Sequence, residues 1–251
     1  MRPIIEVKKI TKYYNNLHVL DEISFDIDKG DFVSIIGPSG CGKSTLLKII
    51  SGLIKPAKGD AIIKGNPAGI ALKKREFGLV FQNPVLLPWR NALKNVELPL
   101  EILNYKSSRN SPRKLLKVVG LKGFEDFYPK ELSGGMQQRI AIARALAFEP
   151  SILLMDEPFG ALDEITRNHM NLELLRIWKE KKTITSTIIF ITHSIPEAIF
   201  LSDKIIVLSH RPAKVEKIIN VELPRPRKIE IKYSNEYIKL IECIRKLLEE
   251  D

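Results

Sequence analysis

Cysteine is nearly absent: the 251 residues contain two, Cys41 and Cys243. Two thiols cannot build a disulfide framework, which excludes the small secreted scaffolds and makes a reducing compartment the expectation. Long hydrophobic runs are also missing, since no stretch approaches the roughly 18 apolar residues a membrane-crossing helix requires. The opening Met1-Arg2-Pro3 carries no signal-peptide pattern. Aromatics are sparse at 7%, and acidic residues fall short of basic ones, 30 against 40, for a formal charge of +10. That surplus raises a nucleic-acid or anionic-lipid reading, but the basic residues are dispersed. The densest groups are Lys73-Lys74-Arg75, Lys179 to Lys182 and Arg225 to Lys228. They are expected to be solvated surface, with a role beside a membrane or polyanion as the alternative, and no nucleic-acid partner is expected. What remains is ordinary globular usage, 44% hydrophobic and 28% charged, in a chain long enough to bury a sizeable core.

Val19, Ile23, Phe25 and Ile27 fit the alternation of a half-buried strand. Phe32 to Ile36 reads as a buried strand, Gly37 to Gly42 as a glycine-rich loop, and Ser44 to Ser51 as a helix stopped by Gly52. Further apolar strands are expected at Phe77 to Phe81, Ile152 to Met155, Thr187 to Ile191 and Lys204 to Leu208. Strands alternating with helical stretches predict an α/β fold with a parallel-sheet core. Between Gln82 and Pro150 the pattern turns helical. Ser111-Pro112 and Gly120 bound one short helix, Ser133 caps another running to about Phe148, and Asn104 to Asn110 is expected to be a loop. Ser234 to Asp251 reads as an amphipathic helix with Tyr237, Leu240, Ile241, Ile244 and Leu248 on one face.

Gly37-Pro38-Ser39-Gly40-Cys41-Gly42-Lys43-Ser44-Thr45 matches G-x-x-x-x-G-K-[ST] between a predicted strand and a predicted helix. Glycines let the backbone curl so that successive N–H groups face one anion, aided by the positive end of the helix dipole. Lys43 is expected on the β/γ-phosphates of ATP, and the Ser44 hydroxyl on Mg²⁺. Ile152-Leu153-Leu154-Met155-Asp156-Glu157 supplies a buried strand ending in two carboxylates. Asp156 is expected to hold the metal and Glu157 to polarise the attacking water as general base. Cys41 lies at a helix start, a setting that can favour the thiolate; the alternative is a small residue in a variable slot of the loop, and alkylation is expected to block turnover, with bound ATP protecting.

Leu132-Ser133-Gly134-Gly135-Met136-Gln137-Gln138-Arg139 pairs a Ser cap with bare glycines at a second helix start. On this segment the chain resembles the ATP-binding cassette (ABC) proteins. Gln82 after the strand 77–81 resembles their Q-loop, Ala161-Leu162-Asp163 their D-loop, and His193 their switch histidine. Tyr14 stands where an aromatic stacks on adenine, with Tyr13 the competing ring; His18, His169 and His210 are expected to be structural or surface residues. The resemblance spans about residues 4–220. It implies a P-loop ABC ATPase with an N-terminal antiparallel β part, a parallel-sheet core and a helical subdomain. The implied division is a core of residues 1–82 and 151–220, a helical subdomain of 83–150 and an extension of 221–251. It further implies a head-to-tail homodimer in which Ser133, Gly134, Gly135 and Gln137 act on ATP held by the other copy, Gln82 being a further metal contact and a catalytic residue.

The wording of Leu86 to Val96, of Glu197 to Asp203 and of Ser209 to Pro212 resembles the nitrate/sulfonate/taurine class of importer ATPases. That class implies permease subunits, a periplasmic or lipid-anchored solute-binding protein and peripheral attachment at the cytoplasmic face of the membrane. Trp89 is either a contact anchor or an aromatic packing the helical part onto the body. The residues after about 220 are too few for the regulatory barrel of sugar-importer ATPases. Ser194 departs from the Asp that usually follows the switch histidine. A soluble ABC ATPase, such as an Fe–S assembly ATPase, is the alternative.

Overall fold

The computed structural model describes residues 2–104, 111–160, 162–181 and 187–249. In chain order it contains β1 (Ile5–Tyr14), β2 (Leu17–Ile27), β3 (Phe32–Ile36), α1 (Lys43–Ile50), β4 (Lys58–Ile63), β5 (Asn66–Pro67), α2 (Ala68–Lys73), β6 (Phe77–Val80) and α3 (Ala92–Leu103). There follow α4 (Pro112–Val118), α5 (Gly134–Leu146), β7 (Ile152–Asp156), α6 (Glu164–Lys181), β8 (Thr187–Ile191), α7 (Ile195–Leu201), β9 (Lys204–Leu208), β10 (Val215–Asn220) and α8 (Asn235–Glu249). Of the expected loop 104–110, only Asn104 is among the described residues. The chain forms two compact units, one of Met1–Phe77 with Thr187–Asp251 and one of Gly78–Ser186.

In the first unit, β2-β1-β4-β5 form an antiparallel sheet with Ile5 opposite both Ile27 and Ile63. Ile5, Val7, Ile10, Ile23, Phe25 and Ile27 are buried, which accounts for the period-two pattern. The pattern changes phase where β1 and β2 bulge, around Lys9 and Glu22, both with positive φ. A second sheet runs β10-β9-β3-β8, with β3 parallel to both β8 and β9 and β10 antiparallel at its edge. Every residue of β3 and β8 is buried, as expected of parallel strands covered on both faces. Each such aliphatic side chain contributes roughly 1.5–3 kcal/mol by leaving water. This core fixes the two loop exits at the ends of β3 and β8.

In the second unit, β7 lies beside β6, and α5 packs against α3 and α4. Ser111 caps α4 by accepting from Lys114 N at 3.3 Å, with Pro112 in the first turn and Gly120 at φ +73 beyond its end. Asn91 caps α3 in the same way, accepting from Lys94 N at 2.8 Å. No helix among the described residues is long and apolar enough to cross a membrane.

Candidate functional site

The loop between β3 and α1 depends on close backbone approach. A Cβ on Gly42, at φ +118, would lie 2.8 Å from Val19 Cγ1, and one on Gly37 would lie 2.8 Å from the Leu208 carbonyl oxygen. Glycine is therefore required at both ends of the loop. Lys43 opens α1 and is only 6% exposed. Its Nζ donates to the carbonyls of Gly37 and Pro38, each at 2.9 Å, so the ammonium is held over its own loop. Ser39 and Gly40 are exposed, and Ser44 and Thr45 follow in the first turn of α1. Cys41 reverses the expectation made for it. It is 2% exposed, and burial raises the thiol despite the positive charge of Lys43; desolvation of the thiolate outweighs the helix start.

His193 is exposed in the turn between β8 and α7, and its neighbours are fixed. Thr192 Oγ1 accepts from Ser194 N at 3.0 Å and donates to the Glu197 carboxylate. Ser194 is the N-cap of α7, its hydroxyl accepting from Glu197 N at 3.4 Å. The departure from Asp at this position thus retains a capping side chain. Tyr13 and Tyr14 are both about half exposed on β1. The Tyr13 ring stacks on His18 at 4.3 Å, and Lys12 Nζ lies 5.2 Å from the centre of the Tyr14 ring. His169 and His210 are exposed.

In the second unit, β7 carries Asp156 at its end, 9% exposed, followed by Glu157 in the left-handed region at φ 43. A turn closed by Gly160 N on the Glu157 carbonyl at 3.1 Å follows. The Ala161 of the expected D-loop lies outside the described residues. Asp163 accepts from Thr166 N at 2.9 Å and from the Thr166 hydroxyl at 2.7 Å, which holds its carboxyl below the usual carboxylate range and caps α6. Gln82 is exposed after β6.

The signature segment opens α5. Ser133 Oγ accepts from Met136 N at 3.3 Å, and the Gln137 amide turns back to donate to the carbonyls of Pro129 and Leu132 at 2.9 and 3.2 Å. Gly135 is buried, whereas Ser133 and Gly134 are exposed, and a Cβ on Gly134 would meet nothing within 4 Å. Packing within the chain does not require glycine there.

The structural roles of three groups of residues are not legible in the sequence. Gln138 and Arg144 of α5 bond the backbone on either side of Gln82, at Phe81, Pro84 and Val85. Asn95, fully buried, accepts from Leu87 N at 2.8 Å and donates to the carbonyls of Leu87, Arg90 and Asn91. It thereby builds the ledge carrying Trp89, which is 71% exposed. Arg225 and Arg227, expected on the solvated surface, are bonded into the fold, with Arg227 only 5% exposed. The signal for Asn95 was a polar residue on the inner face of an apolar helix.

The ABC transporter family model matches residues 20–160. An aliphatic sulfonates import ATP-binding protein, SsuB, of Bacillus cereus is 47% identical over 227 residues, covering 89% of this chain and 88% of that protein. An uncharacterized ABC transporter ATP-binding protein of Methanocaldococcus jannaschii is 46% identical over 234 residues, covering 90% and 85%. Among solved structures, a dimeric ATP-binding cassette in a post-hydrolysis state with ADP and Pi superposes with a TM-score of 0.75 at 34% identity, covering 88% of this chain and 100% of that one. A glycine loop closed over Lys43, a carboxylate pair at the end of a buried strand and a bare-glycine helix start agree with these likenesses: the chain belongs to the ABC transporter family and is an ATP-binding, ATP-hydrolysing subunit.

Proposed function

We propose that this subunit energises an importer for a small solute of the nitrate/sulfonate/taurine class, docked on membrane permease subunits at the cytoplasmic face. The observation that carries the reading is Trp89. A buried asparagine spends all its hydrogen bonds on a rigid ledge that displays an indole to solvent, and an ordered, exposed Trp is the form a binding anchor takes. The likeness to a sulfonate-import subunit supports the solute class. A solute-binding protein then delivers the solute to the permease.

In this reading ATP is held by Gly37 to Thr45, with Lys43 exchanging its carbonyl partners for the β/γ-phosphates and Tyr14 stacking on adenine. Ser44, Asp156 and Gln82 would supply the oxygen donors that hold Mg²⁺. Such a set, one carboxylate with two neutral oxygen donors, fits a cation held by one or two carboxylates plus phosphates; no cluster of three His, Cys, Asp or Glu exists among the described residues. When bound, the ion neutralises phosphate charge. Glu157 takes a proton from the attacking water, Gln82 helps position that water, and His193 contacts the γ-phosphate. Two copies pair head to tail, with Asp163 near the junction and the open N–H groups at Ser133, Gly134 and Gly135 reaching the nucleotide of the other copy, joined by Gln137 as a support.

The test is co-purification with permease subunits encoded beside this gene, then solute-stimulated ATP hydrolysis in proteoliposomes with taurine, an aliphatic sulfonate or nitrate. The expected result is co-purification that Trp89→Ala abolishes without loss of fold. Full turnover by the chain alone, with no permease bound, would favour a soluble ATPase instead.

A further inference from the structure

α7 has seven residues, too few to hold a helix unaided, and it begins two residues after His193. Its placement is therefore set by tertiary contacts: α7 packs on β3 and on α8, and the polar bonds to its two ends come from the C-terminal extension. Arg227 Nη1 donates to the carbonyls of Ile199 and Phe200, both at 3.0 Å, and Arg225 Nη2 donates to that of Leu201 at 2.7 Å. These are carbonyls of the last turn, which have no partner within the helix and sit at its negative end. At the other end, the Tyr237 hydroxyl of α8 donates to the Pro196 carbonyl at 2.6 Å, with the ring 1% exposed. Lys232 Nζ lies 5.2 Å from the centre of the Phe200 ring. Arg225 also donates to Asp203 at 2.8 Å, and Asp203 in turn accepts from Phe32 N of β3 at 3.0 Å, the strand that leads to the phosphate loop.

We infer that residues 221–249 form a strap that fixes α7 at both ends and so positions His193, with Tyr237 and Arg227 as positioning residues. The strap holds the helix, the Thr192–Glu197 bond ties the helix to the residue before His193, and the imidazole is thereby held in one place for its contact with nucleotide. The inference rests on the role given to His193 above.

The experiment uses the full chain with Tyr237→Phe, which keeps the ring and removes one bond, and Arg227→Met with Arg227→Lys as the conservative partner. Steady-state ATP hydrolysis is measured together with the His193 Cε1–H resonance, assigned by its loss in His193→Ala. Tyr237→Phe is expected to lower kcat roughly three- to tenfold, one hydrogen bond's worth of barrier, with KM for ATP unchanged. The His193 signal moves while those of His18, His169 and His210 do not, and Arg227→Lys recovers part of what Arg227→Met loses. Folded Tyr237→Phe with wild-type kcat and an unmoved His193 signal overturns the strap, as does a lower kcat with that signal unmoved. A fully active His193→Ala defeats the role proposed for His193, and the resonance then still decides whether the extension positions it.

Discussion

The side-chain amide of Gln138 donates to the carbonyl of Phe81 at 3.1 Å, so the helix that starts at Gly134 holds the residue immediately before Gln82. Arg144, two turns further on, donates to the carbonyls of Pro84 and Val85, both at 2.8 Å. Burial lowers the Arg144 guanidinium from its ordinary value, so its charge is retained against a desolvation cost by these bonds. Arg144→Met is expected to lose about 1.5–3 kcal/mol of stability, the range for hydrogen bonds from a charged donor. Turnover should fall more than ATP affinity, because Gln82 loses its anchor while the phosphate loop is untouched. Urea unfolding, nucleotide titration and steady-state hydrolysis read the three quantities; wild-type turnover in the folded variant would count against a positioning role.

Gly134 offers a way to separate folding from the proposed function. A side chain there meets nothing within 4 Å, and an acidic one at a helix N-terminus interacts favourably with the macrodipole, by about 0.3–1 kcal/mol. Gly134→Asp should therefore fold at least as stably as the parent, with ATP binding to the monomer intact. The same carboxylate repels the triphosphate of the other copy, so hydrolysis and nucleotide-dependent dimerisation should both be lost. Sedimentation with ATP measures the dimer; a dimer of normal strength in this variant contradicts the role proposed for the exposed glycine.

Glu157 occupies a backbone conformation that costs a residue with a Cβ about 1–3 kcal/mol. Glu157→Ala and Glu157→Gly both delete the proposed base, so each should reduce turnover by roughly 10²–10⁴. Their stabilities should differ in the reverse of the usual order, with Gly above Ala by about 1 kcal/mol, since only Gly adopts φ 43 without strain. Glu157→Gln should retain ATP and accumulate the dimer. Denaturation midpoints of the Gly and Ala variants decide the strain, and hydrolysis rates decide the base.

What the sequence made legible was local. The phosphate loop, its helix and the caps at Ser111 and Ser133 are each encoded within about ten residues, so glycine, proline and hydroxyl positions locate them. The order β10-β9-β3-β8 was not legible, because Val33 pairs with both Ile189 and Lys204, far along the chain. The edge strand β10 shows little burial and gives a weak pattern. Arg225 and Arg227 were misread for the same reason: a run of basic residues looks solvated until the carbonyls of α7 are placed against it. Asp156 and Glu157 were legible as a pair, but the positive φ of Glu157 leaves no trace in residue type.

Cys41 gives a prediction whose sign the fold reversed. The thiol is raised above its ordinary value, with burial the largest cause and Lys43 opposing it. Since the thiolate is the nucleophile, alkylation of Cys41 by a neutral reagent, in a Cys243→Ser background, should be slow at neutral pH and keep climbing past pH 9. A thiolate favoured by the helix start would instead plateau well below that. The same shift means the folded chain binds this proton more tightly than the unfolded chain. Its contribution to stability is thus complete below the unfolded thiol's pKa and is lost as pH rises through the folded value. Sγ lies 3.0 Å from the place a Cβ on Gly37 would take, so an added acetamide has no room without displacing the loop. Complete modification should abolish nucleotide binding, and prior ATP should slow the reaction. Rates measured by mass spectrometry across pH 6–11 test the sign, and unchanged hydrolysis after full alkylation would show that the loop tolerates the adduct.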